Sequence, residues 1–155
     1  MAANSLLASA VQALCVVAWR GAEGANAELL ARSLDTNPVV VRRILKTLER
    51  SGLVRLRPGR HGGVELSRSP AEISLEEIYR AVEPNGALFA LRERGNPRCP
   101  VQQAMARALP PLFQAADEAV AEVLRRTSLD ILAAQVPPPG QAGFAEAAAG
   151  PAVNT

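Results

Sequence analysis

The chain has 155 residues, 48% of them hydrophobic, which is enough to bury the core of one ordinary domain, and its net charge of +2 by itself singles out no anionic partner. Aromatic residues make up only 3%, so the core must be built from Leu, Val, Ile and Ala, a composition that favours helix. Two cysteines, Cys15 and Cys99, are too few for a disulfide framework or a metal site of their own, and they suit a reducing, cytoplasmic setting.

The first apolar run, Leu6–Trp19, has no Lys or Arg ahead of it and is interrupted by Gln12, which argues against a secretory leader. It is also short for a bilayer span, so no membrane is expected and the run reads as a buried helix from Ser5 to Trp19. Asn26 is placed to cap a short helix, Ala27–Ser33, with Leu30 and Leu34 inward. "DTNP" then makes a turn and a fresh start, with Asn37 as N-cap and Pro38 at the first helical position. This third helix runs to Arg50 or Ser51, where Gly52 stops it. At about 100° per residue Val41, Ile44, Leu45 and Leu48 share one face. Val39, Arg43, Lys46 and Arg50 share the opposite one, with Arg42 on the flank. "LVRLRPGRHGGVELS" follows, two alternating strands around Pro-Gly and Gly-Gly, which predicts a β-hairpin with a cationic tip.

Charge is concentrated here. Between Asn37 and Gly63 seven basic residues stand against Glu49 alone, a local +6, so the rest of the chain sums to −4. Further on, Ser74 and Glu77 form a capping box that opens the helix "LEEIYRAV", and the loop "EPNGALFALRERGNPRCP" follows. From Val101 to Arg126 an apolar stripe recurs at three- and four-residue intervals: Val101, Met105, Leu109, Leu112, Ala116, Val120 and Val123. Pro110–Pro111 interrupt it, so a kink or a division into two helices is expected. Ser128–Ala134 adds a turn or two, and the Pro/Gly/Ala-rich end reads as a disordered tail.

The order helix, helix, turn, basic helix and hairpin predicts a mainly α fold with a small β-hairpin: a winged helix-turn-helix domain plus a long C-terminal helix. Such a unit suits double-stranded DNA, because a helix fits the major groove with its N-terminal residues at base edges. The base readers are expected around Asn37, Val39, Arg42 and Arg43, with Thr36 just ahead of them. Lys46 and Arg50 are expected on phosphates. In the wing, Arg57, Arg60, His61, Gly62 and Gly63 form a tip suited to a minor groove, where glycines permit close approach and Arg meets negative potential.

The block "TNPVVVRRILKTLERSGLVRLRPGRHGGVELSRSPAEISLEEIYRAVE", followed by "LFAL" and "NPRCPV", resembles the Rrf-two family of bacterial winged helix-turn-helix transcription regulators. The resemblance implies a homodimer joined through the long C-terminal helix, a two-fold operator, and repression or activation set by a small signal. It implies the division 1–83 DNA-binding domain, 84–100 sensor and connecting loop, 101–134 dimerisation helix region, and 135–155 tail. Many members hold an iron–sulfur cluster on three loop cysteines; this chain has only Cys99 there, so no cluster and no other cofactor is expected. Cys99 is left as a thiol switch or a packing residue, and Leu88, Phe89 and Leu91 as pocket lining for a small-molecule effector or as core. An enzyme is not expected, since no nucleophile–base pair, phosphate loop or metal cluster appears. The alternative is a winged-helix module that binds protein without specific DNA binding.

Overall fold

Helix α1 (Ser5–Arg20) lies at the centre of the molecule, with Ala10, Ala13, Leu14, Val16 and Val17 buried. Residues 5–59, 62–83, 88–91 and 96–137 are described in a computed structural model. Within it the window Leu6–Glu23 reaches a mean hydropathy of 1.2 over 18 residues, enough by length and composition alone for a short span. Here its apolar face is taken up by the protein core, and Gln12 Nε2 donates to the Ser33 carbonyl at 2.8 Å.

A 3-10 turn (Gly21–Glu23) leads to α2 (Ala27–Ser33), whose N-cap Asn26 accepts from Leu29 N–H. The turn to the next helix passes through Asp35 at φ 48°, a left-handed conformation that Asp tolerates. Helix α3 (Pro38–Arg50) begins at Asn37, whose side chain accepts from Val39 N–H at 2.8 Å, and ends before Gly52 at φ 72°. Its buried residues are Val41, Ile44, Leu45 and Leu48, the four assigned to the inner face.

Strands β1 (Val54–Arg57) and β2 (Gly63–Leu66) pair antiparallel, with Val54 opposite Leu66 and Arg57 opposite Gly63. Ala25 adds a single bridge to Val64, tying the hairpin to the chain ahead of α2. A 3-10 turn (Pro70–Glu72) with its own Ser69–Glu72 capping box precedes α4 (Leu75–Val82), which opens on the Ser74–Glu77 box. Fully buried Leu14, Leu30, Leu48, Leu53, Ile73 and Ile78 knit these elements together, each contributing about 1.5–3 kcal/mol by leaving water.

Helix α5 (Pro100–Arg125) is one continuous element across Pro110–Pro111, not two helices. The two prolines supply no N–H to the carbonyls of Ala106 and Arg107, but both residues are exposed, so water can serve those carbonyls. After α5 the chain returns to the core. Leu75 N–H donates to Thr127 O and Leu129 N–H to Ile73 O, and α6 (Leu129–Ala133) buries Leu129 completely against the same cluster. Trp19 Nε1 donates to Pro137 O at 2.7 Å, so the chain is held to α1 up to that point. The remainder of the tail, 138–155, lies outside the described residues.

Candidate nucleic-acid interface

Helices α2 and α3 make the helix-turn-helix, and the N-terminal half of α3 protrudes from it. Val39 is 66% exposed, and Val40 beside it is also exposed. A thymine methyl is the contact that DNA offers an apolar side chain such as Val39 held out at a helix start. Arg43, Lys46 and Arg50 project from the same side, and none of them forms an ion pair among the described residues.

Two of the expected base readers are engaged within the protein. Asn37 Oδ1 accepts the Val39 N–H as the helix cap, which fixes the side chain at the helix start. Arg42 Nη2 is ion-paired with Glu28 of α2, drawing it to the flank. Thr36 is half-buried in the turn, where its N–H donates to Ala31 O at 3.0 Å. Val39 and Arg43 therefore remain as the side chains presented without an internal partner.

The wing carries its own constraints. Arg57 is exposed and pairs with Glu65 across the strands at 2.9 Å. A Cβ at Gly62 would sit 2.0 Å from Arg57 O, and one at Gly63 would sit 2.9 Å from Ala25 O, so both glycines are required by the hairpin itself. Arg60 and His61, the expected tip, lie outside the described residues. Arg55 on β1 is exposed and adds a cation beside the hairpin that the sequence reading left out of the site. Alternation in "LVRLR" was the signal that could have placed it.

Helix α5 buries no residue of its own. Val101, Met105, Leu112 and Val123 are exposed, while Leu109, Ala116 and Val120 are half-exposed. At about 100° per residue these seven fall within an arc of roughly 100°, a stripe wide enough for one helix-packing face. The neighbouring face of α5 meets α4 and the segment Leu88–Leu91. Phe89 stacks on Phe113 with centroids 5.5 Å apart, and Leu88 N–H donates to Asp117 Oδ1 at 3.0 Å. An open cleft of about 550 Å³ lies there, lined among others by Tyr79, Arg80, Phe89, Leu91 and Phe113. Burial, with Asp117 and Glu83 nearby, pushes the Tyr79 phenol up from its ordinary range, so it stays a neutral wall of the cleft.

Cys99 is the N-cap residue of α5, half-buried, with a free thiol and no side-chain capping bond. Cys15 is also free; it packs against the core on α1, and burial pushes its thiol up, away from the reactive thiolate. Among the described residues no three His, Cys, Asp or Glu side chains come together as a metal site. Among the described residues the thiol at the head of α5 is that of Cys99.

Comparison with known proteins agrees with this geometry. The Rrf2 family profile, described as an iron-dependent transcriptional regulator, matches residues 3–135. YwnA of Bacillus subtilis, named as an HTH-type transcriptional regulator, is 39% identical over 126 residues, covering 81% of this chain and 92% of that protein. A crystal structure described as a DNA-binding protein superposes with a TM-score of 0.68 at 33% identity, covering 83% of this chain and 98% of the other. The global cysteine regulator CymR of B. subtilis shares the fold at 22% identity, with a TM-score of 0.66 over 88% of this chain and 99% of that one. The chain belongs to the Rrf2 (Rrf-two) family of winged helix-turn-helix, DNA-binding transcription regulators and is not an enzyme.

Proposed function

We propose that the protein is a cytoplasmic homodimer that represses transcription by binding a two-fold operator. The observation that carries this reading is the first two turns of α3, where exposed Val39 lies one turn from unpaired Arg43. Val39 and Arg43 read base edges, while Lys46, Arg50 and Arg55 hold phosphates. The uncovered stripe on α5, from Val101 to Val123, supports pairing with a second copy, since two such faces bury each other. The iron dependence in the family description is not carried over, because one half-buried thiol at the head of α5 supplies too few ligands.

Control by a signal enters where α5 leaves the DNA-binding unit. The cleft between α4 and α5 favours a small organic effector, and Cys99 is the residue through which a redox signal would act.

Selection from a random duplex pool tests the DNA reading, and enrichment of an inverted repeat is the expected result. Absence of any enriched sequence would favour a protein-binding module instead. Affinity for the selected duplex is then compared for reduced and mildly oxidised protein, with Cys99→Ser under both conditions. Loss of affinity on oxidation that Cys99→Ser abolishes assigns the signal to the thiol. Four equal affinities make Cys99 structural and move the search to a small-molecule effector at α5.

A further inference from the structure

Helix α3 carries four cations, and three of them are free of ion pairs among the described residues. The fourth, Arg42, is bound to Glu28, which stands in the first turn of α2. The pair borders a groove of about 610 Å³ between α2, α3 and the hairpin, whose other cations are Lys46 and Arg57. Arg57 is paired with Glu65, and the Glu49 carboxylate in the same groove accepts the Leu56 N–H at 3.1 Å. Two cations flanking the recognition helix, Arg42 and Arg57, are thus neutralised internally, while Arg43, Lys46 and Arg50 have no ion pair among the described residues.

We propose that Glu28 is a specificity-determining residue: by holding Arg42 within the protein it withholds a cation from DNA phosphates and so weakens binding to non-operator sequences. The proposal rests on the DNA-binding reading given above. Non-specific binding is electrostatic and gains with every cation that reaches a phosphate, whatever the register. On the operator, Val39 and Arg43 set the register and Arg42 stays with Glu28, so the operator complex gains little from releasing it. Both partners are about half exposed, 53% and 54%, so the ion pair is worth up to about fivefold in an equilibrium. That is the size of a competitor for phosphate. It is too small for a structural clamp.

The test uses the full chain with Glu28→Gln, Arg42→Ala and the double variant, on the selected operator and on a random duplex, across a salt series. Glu28 is exposed and Gln keeps its polarity, so folding is retained and is checked by thermal unfolding. Glu28→Gln is expected to raise affinity for the random duplex by up to about fivefold and to steepen its salt dependence by about 0.9. Operator affinity changes less, and the double variant matches Arg42→Ala. An unchanged salt slope, an equal gain on both duplexes, or an equal gain when Arg42 is already Ala would overturn the proposal. If wild-type protein shows no preference between the duplexes, the sequence-specific operator reading itself has failed.

Discussion

Glu49 Oε1 accepts a hydrogen bond from the backbone N–H of Leu56 at 3.1 Å, joining the last turn of α3 to the first strand of the wing. Glu49 is the one acidic residue of α3. Its charge is therefore turned toward the hairpin, away from the side that presents Arg43 and Val39. The contact serves two ends: it sets the angle between helix and wing, and it removes a negative charge from the face offered to DNA.

Replacing Glu49 by Ala leaves the Leu56 N–H to solvent and loosens the wing, at a cost of about 0.5–1.5 kcal/mol. Glu49→Gln keeps an acceptor at the same reach. Amide exchange at Leu56 should therefore accelerate in the Ala variant and stay slow in the Gln variant. Equal exchange in both would show that the bond does not hold the strand.

Arg43 and Lys46 should separate by what they read. Arg43→Ala is expected to weaken operator binding by about 1–3 kcal/mol and to relax preference at one base pair. Lys46→Ala should weaken all sequences alike and lower the salt slope by about 0.9. A salt titration of both variants on operator and random duplexes distinguishes the roles, and a uniform loss for Arg43→Ala would make it a phosphate contact.

Gly63 is expected to resist even the smallest side chain. Its added Cβ would lie 2.9 Å from Ala25 O, the carbonyl that accepts Val64 N–H at 2.8 Å. Gly63→Ala must push these groups apart, costing about 1–3 kcal/mol as overpacking does elsewhere. Urea unfolding measures it, and an unchanged midpoint would mean that the hairpin adjusts freely.

Leu112 tests the proposed dimer. It is 64% exposed in the middle of the α5 stripe, so Leu112→Glu should leave the isolated fold intact while placing like charges opposite each other in a paired helix. Sedimentation should show a shift from dimer to monomer, with operator affinity falling in parallel. A variant that sediments as wild type would move the interface off this stripe.

Much of this arrangement was legible because its signals are local. Asn26, Asn37, Ser74 with Glu77, and Gly52 each act within a turn of their own helix, and every one stands at the boundary it indicated. The inner face of α3 followed from spacing alone. What spacing does not carry is pairing across distance. Nothing near Arg42 indicates that Glu28, on another helix, draws it aside. Two adjacent prolines signal a kink or a division locally, and α5 continues through them as one helix rather than two. Ser128–Ala134 reads from sequence as a turn or two, and its Leu129 lies in the core because the chain doubles back along Ile73.

One more pairing across distance makes the last prediction. Glu76 on α4 is buried, its side chain only 10% exposed, and Arg125 at the end of α5 grips it through Nε and Nη2, each at 2.9 Å. Arg80 adds a contact at 2.6 Å. The hydrogen bonds from Arg125 above all, and then the charges of Arg125 and Arg80, outweigh burial and hold the Glu76 carboxyl below its ordinary range. A carboxylate whose folded pKa is depressed contributes stability in full above its unfolded value, about 4.3, and loses it as pH falls below that toward the folded value. Because the pair joins the DNA-binding unit to α5, acid should loosen that junction first. Glu76→Gln is therefore expected to be less stable than wild type near neutrality, and the gap in urea midpoint should close as pH drops below about 4.3. A gap that stays constant with pH would mean that Gln replaces the carboxylate sterically and that the charge contributes nothing to the junction.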